Sequence, residues 1–216
     1  MGLLLDNFPR KDNAGLRVGV IGLGVGTLAA YGHAGDYYRL YEIDPAVIAL
    51  SRGNSPMFTF VRDSQAKTDI VQGDARIIMQ DEAERGERQN FDVLVVDAFS
   101  SDSIPVHLLT REAVDLYLKH LRGSKSVIAF HISCNSIDLR PVMIALSREY
   151  HFATLDVHGT DQNGIENAWV LVSADAQMLE MPALAKAGNP VEATRTIRMW
   201  ADNYSNLSEL LVGWSF

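Results

Sequence analysis

The stretch Arg17-Val18-Gly19-Val20-Ile21-Gly22, followed by Leu23-Gly24-Val25-Gly26-Thr27, limits the fold of this chain more than any other. A short apolar run that ends in glycines reads as a strand and a tight turn, and 27–31 then opens a helix. Glycine at 22, 24 and 26 allows dihedrals that a side chain forbids and lets a ligand approach the backbone. Tight packing of a strand on a helix asks for the same glycines, so both roles stay open. Thr27 stands where the dinucleotide fingerprint has its last glycine or alanine, which shifts the expectation from NAD to a nucleoside cofactor without pyrophosphate.

The strand–helix alternation continues along the chain. Strands are predicted at 38–43, 69–71, 91–96 and 126–132, with helices from Pro45, over 75–83, 111–121 and 141–150. Phe91-Asp92-Val93-Leu94-Val95-Val96 has the near-continuous apolar character of a parallel strand buried on both faces. Segments 153–157 and 168–172 read as an antiparallel edge, and 176–190 as a loop. The whole predicts an α/β fold with a doubly wound, mostly parallel sheet of the seven-stranded type, Rossmann-like and of the class I S-adenosylmethionine-dependent methyltransferase kind. At 216 residues, one domain over 1–216 is expected.

A formal charge of −8 opposes nucleic acid as a partner, because phosphate backbones call for clustered Lys and Arg. The single cysteine, Cys134, cannot close an internal disulfide, and no Cys/His spacing reads as a metal site. The apolar start, Met1 to Leu5, is too short for a secretory core, and no stretch reaches the roughly 18 apolar residues that span a bilayer. A cytoplasmic chain without a membrane segment is expected. The C-terminal Trp214-Ser215-Phe216 offers apolar surface that a homodimer would cover.

Open α/β sheets bind ligands beyond the carboxyl ends of their strands. Four predicted strand ends carry glycine or acid there: Gly22 to Thr27, Glu42 with Asp44, Gly73-Asp74, and Asp97 to Asp102. Glu42 is placed to accept both hydroxyls of a ribose, or is a surface or capping acid beside Pro45; Asp44 is the better N-cap. Asp74 fits either an adenine amino group or the N-cap of its own helix. Asp97 emerges from an apolar strand at the rim of the core, where a carboxylate is suited to proton transfer or amine binding. With Asp102 it would grip an ammonium group; alternatively the two acids cap the helix that follows. His131 and Cys134 lie on the same side; a lone histidine on an apolar strand reads first as a hydrogen-bonded core residue, and Cys134 has no identifiable partner as a nucleophile.

Taken together, Val20-Ile21-Gly22-Leu23-Gly24-Val25-Gly26, Tyr41-Glu42-Ile43-Asp44, Gly73-Asp74-Ala75 and Asp97-Ala98-Phe99-Ser100-Ser101-Asp102 resemble the spermidine synthase (polyamine aminopropyltransferase) family over roughly 16–175. The likeness is greatest to bacterial domains found behind membrane transporter-like segments, and Asp202-Asn203-Tyr204-Ser205-Asn206-Leu207 resembles their C-terminal signature. The resemblance implies polyamine biosynthesis: transfer of an aminopropyl group from decarboxylated S-adenosylmethionine to a small cationic amine. It implies that Gly22, Gly24, Gly26 and Ala75 border the cofactor, Glu42 holds its ribose and Asp74 its adenine. Asp97 would take the amine's proton, and Asp102, with Ser100 and Ser101, would bind the amine.

Three features depart from that pattern. Val25 replaces the turn's usual aspartate, Asp97 and Asp102 have four residues between them where the family has two, and, with the first strand read from residue 17, the family's N-terminal β-domain is not expected. A methyltransferase using S-adenosylmethionine itself fits the turn as well, and a non-catalytic ligand- or partner-binding domain of the same fold is the third expectation.

Overall fold

The computed structural model describes residues 1–10, 14–52, 56–98, 105–134, 136–160, 166–193 and 195–212. Eight strands form one sheet: β1 (Arg17–Ile21), β2 (Tyr37–Glu42), β3 (Lys67–Gln72), β4 (Val93–Val96), β5 (Val127–His131), β6 (Ala153–Thr160), β7 (Glu166–Ser173) and β8 (Gly188–Asn189). Their order is β3-β2-β1-β4-β5-β7-β6-β8. The first five in that order run parallel, and β7 joins β5 antiparallel. The helices are α1 (Gly2–Asn7), α2 (Pro45–Ser51), α3 (Phe60–Asp63), α4 (Ala75–Glu84), α5 (Arg111–His120), α6 (Arg140–Tyr150) and α7 (Pro182–Ala187). This is the expected doubly wound sheet, with a two-residue eighth strand added at its edge.

The central strands feed two apolar layers, one on each face. Val93 and Val95 of β4 join Val18, Val20, Val127 and Ala129 in one layer, while Leu94 and Val96 join Ile21, Ile128 and Phe130 in the other. All four residues of β4 are fully buried, which explains why the strand reads as a continuous apolar run although its side chains alternate. The second layer is closed by α4, α5, α6 and the buried Trp200.

The first layer differs from expectation. The segment after the glycine turn forms only a 3-10 turn, Thr27–Tyr31, and not a long helix. The face is covered in part by α1, whose Leu4 and Leu5 are buried. The apolar start, read from sequence only as too short for a secretory core, is therefore a core element. Likewise 176–190 holds α7 and β8 and is not a loop throughout; Leu184 of α7 is buried in the same layer. Among the described residues no helix is long and apolar enough to cross a membrane.

One buried charge ties β2 to α4. Glu82, 2% exposed at its side chain, is ion-paired with Arg39 and accepts from the hydroxyl of Tyr41 and the amide of Gln89. Arg39 also holds Asp69 of β3 at 2.5 Å. Removing one partner of such a pair strands the other charge. Glu82→Ala is expected to lower stability by about 3 kcal/mol in urea denaturation, and Glu82→Gln by clearly less; equal small losses would show that the pair contributes little.

Candidate active site

The carboxyl ends of β1 to β4 border one cleft of about 550 Å³, lined by Gly22, Gly24, Tyr41, Glu42, Asp74, Ala75 and Asp97, with Pro105, His107 and Leu108 opposite. That volume suits a nucleoside-sized ligand. A second hollow of about 370 Å³ lies at the other ends of the strands, against Leu16, Asp92 and Ser126. Open α/β sheets do not use that end for ligands.

Each predicted residue has a definite place. Gly22, with φ of 97°, bends the chain out of β1 against β4, and a Cβ on it would lie 2.2 Å from the carbonyl oxygen of Asp97. Gly24, with φ of 52°, presents bare backbone where a Cβ would meet nothing within 4 Å. Gly26 is not among the lining residues: its N–H closes the turn onto the Leu23 carbonyl, and a Cβ would press on Val61. Packing on Val61 and a φ of 81° account for this third glycine.

Glu42 is held by the turn it faces. Oε2 accepts the Leu23 N–H at 3.0 Å and Oε1 the Asp44 N–H at 2.9 Å. A carboxylate has about four acceptor sites, so two remain on a side chain that lines the cleft. Asp44 caps α2 through Ala46 N, as expected beside Pro45. Asp74 caps α4 with Oδ1, which accepts from the backbone of Arg76 and Ile77, while Oδ2 lies 3.4 Å from Nε2 of His107. The capping role is thus real, and one oxygen stays on the cleft side with a histidine that sequence reasoning did not single out.

Asp97 follows β4, and its backbone N–H donates to Ile21. Its Oδ1 lies 2.7 Å from Nδ1 of His131, which ends the neighbouring strand β5. The partners are 34 residues apart, yet the order β4-β5 makes their ends adjacent; that order was the available signal. Ser100, Ser101 and Asp102 lie outside the described residues, as do Trp214, Ser215 and Phe216. Among the described residues no cluster of three or more His, Cys, Asp or Glu could hold a metal ion.

The wall opposite is tied down by the C-terminal segment. Arg76 donates to both carboxylate oxygens of Asp202, at 2.8 and 2.5 Å, and to the carbonyl of His107, while Thr110 Oγ1 donates to Asp202 Oδ1. The sequence marked Asp202 without revealing this strap.

No family model matches the chain. In sequence it is 30% identical over 115 residues to the polyamine aminopropyltransferase of Vibrio vulnificus (strain CMCP6), a match covering 52% of this chain and 36% of that protein. The chain therefore spans about a third of that relative's length. Among solved structures, spermidine synthase from Thermotoga maritima superposes with a TM-score of 0.58 at 17% identity, over 91% of this chain and 65% of that one. The O-methyltransferase from Bacillus cereus in complex with SAH superposes at 0.56 and 16% identity, over 80% of each chain. The fold is the Rossmann-like class I methyltransferase fold, and within it the chain has spermidine synthase-like sequence similarity.

The Arg76 guanidinium, by hydrogen bonding, holds the Asp202 carboxyl below its ordinary value of 3.8. A depressed acid adds stability above its unfolded pKa and loses that contribution as pH falls through the folded one. Asp202→Asn should thus cost about 1 kcal/mol at neutral pH, and the gap from wild type should close once the pH drops below the ordinary carboxyl range. A gap unchanged down to the acid limit of folding would assign the strap no electrostatic role.

Proposed function

We propose that this chain is a single-domain transferase that moves an aminopropyl group from decarboxylated S-adenosylmethionine to a small cationic amine. The observation that carries the reading is the placement of the Asp97 carboxylate in the same cleft as bare turn backbone at Gly22 and Gly24 and the anchored acid Glu42. Sequence similarity to a polyamine aminopropyltransferase supports the choice of reaction. Likeness to the domains behind membrane transporter-like segments, a cytoplasmic setting and a homodimer through the C-terminus belong to the same proposal.

The residues fit an adenosyl group. Gly24 leaves backbone open where a side chain would intrude, Glu42 keeps acceptor sites for ribose hydroxyls, Asp74 for the adenine amino group, and Ala75 adds an apolar contact. Ile43, 66% exposed although apolar, gives further apolar surface at the cleft. Once bound, the group supplies a carbon activated by its neighbouring sulfonium. The chain's own work is binding, orientation and one proton transfer. An amine arrives protonated at neutral pH and has no lone pair to attack with, so Asp97 accepts its proton. In this reading Asp102, Ser100 and Ser101 hold the amine. No step requires a metal ion.

Loss of the charge-assisted hydrogen bonds in Glu42→Ala should weaken binding of methylthioadenosine by about 1–3 kcal/mol in calorimetry, whereas unchanged affinity removes Glu42 from the site. Asp97→Asn should lower turnover about a hundredfold with little change in that affinity. Near-normal turnover would place the base elsewhere, and no turnover by the wild type with any amine would favour a binding domain.

A second reading rests on Val25, 38% exposed, in place of the acid that the resemblance leads one to expect. Without that acid the turn itself does not repel the carboxylate of intact S-adenosylmethionine, which suits a methyltransferase. The dissociation constants for the intact and decarboxylated forms should then differ by less than about a thousandfold. A larger preference for the decarboxylated form would exclude the methyltransferase and require another acid in the role.

A further inference from the structure

His131 does not line the cleft, and the function proposed above gives it no task. Its surroundings do. The register that pairs Val96 with Phe130 sets the next residues, Asp97 just after β4 and His131 at the end of β5, side by side. Nδ1 and Oδ1 are 2.7 Å apart. An ionised carboxylate only accepts, so the proton of a neutral ring belongs on Nδ1.

The far side of the ring is compatible with the same form. Nε2 lies 2.8 Å from the Ser133 hydroxyl, which already accepts the Ala168 N–H at 2.7 Å. With one lone pair so engaged, the hydroxyl keeps a proton that a bare Nε2 can accept, beside its second lone pair. The plane of the ring is set independently: it stacks on Trp169 with centroids 4.5 Å apart and planes 20° apart, the two residues facing each other across the antiparallel pairing of β5 and β7. The stacking contact and the hydrogen bond to Asp97 thus hold Nδ1 toward a single carboxylate oxygen.

The geometry points to His131 as a positioning residue for amine deprotonation: it fixes the Asp97 carboxylate through Oδ1 and so directs Oδ2 to the ammonium group in the cleft. The proton leaves the ammonium nitrogen, its bonding pair stays on that nitrogen, and the proton ends on Oδ2. Throughout, Nδ1 keeps its own proton, and Oδ1 of the neutral acid still accepts from it. The identity of the proton donor rests on the aminopropyl-transfer reading; the pairing of the two residues does not.

Nitrogen-15 NMR of the imidazole in the full chain, without ligand and at a pH where the ring is neutral, reads the pairing directly. The wild type should show the Nδ1–H form, and Asp97→Asn should weaken that preference. An Nε2–H form in the wild type, or no response to Asp97→Asn, overturns the proposal.

Kinetics then test the consequence. His131→Phe keeps a ring against Trp169 with no donor, and should lower kcat about tenfold or more while KM for the amine and affinity for methylthioadenosine stay within about threefold. His131→Asn, whose amide reaches the place of Nδ1, should restore most of the loss. His131→Gln, whose amide reaches the place of Nε2, should not, and it decides the matter if the Phe variant fails to fold. Wild-type kcat in His131→Phe, a loss in KM alone, or equal values for Asn and Gln would overturn the proposal. A wild type inactive on every amine contradicts the proposed function instead, and the NMR result then decides the pairing alone.

Discussion

The ends of β1 and β4 meet at a contact that no side chain could share. The Asp97 N–H donates to the Ile21 carbonyl at 2.8 Å, and the Asp97 carbonyl occupies the space of a Gly22 Cβ. With φ of 97°, Gly22 turns the chain away from the sheet at that point. An added methyl would force the two strand ends apart and displace the carboxylate that follows β4. The turn in turn gives the Leu23 N–H to Glu42, so the ends of β1, β2 and β4 are locked into one rim. Buried strands below keep that rim in register, since β4 is wholly enclosed between the two apolar layers.

A common device runs through the cleft. Three of its acids are tied through the protein before any ligand arrives: Glu42 by two backbone N–H groups, Asp74 by the first turn of α4, Asp97 by His131. Donors that are already in place fix a carboxylate's direction without the reorganisation that water would require. The capping role of Asp74 and a ligand role are therefore compatible, because the cap uses Oδ1 while Oδ2 faces His107.

What the sequence revealed follows from which interactions are local. The glycine turn, the apolar run before Asp97 and the Asp44-Pro45 helix start are signals within a few residues, and each leads to the right element. The doubly wound, mostly parallel sheet with its antiparallel edge pair also came through, because strands alternating with helices leave few architectures. The core role of α1 did not, since six residues have no recognisable period and their burial is decided by the layer they meet. The short 3-10 turn after Gly26 was hidden for a similar reason: the segment packs against α3, an element remote from it in sequence. His131 looked like a core histidine because its partner is remote in sequence, and the Arg76–Asp202 strap spans 126 residues.

The account stands on an adenosyl group held with its ribose against Glu42. Calorimetric titration of the wild-type chain with methylthioadenosine and with its 2′-deoxy counterpart puts that question most directly, since the two ligands differ by one hydroxyl. A hydroxyl given to an ionised acceptor contributes about 1.5–3 kcal/mol, so the deoxy ligand should bind at least about tenfold more weakly. Equal affinity for the two would contradict the placement of the cofactor and, with it, the function built on that placement.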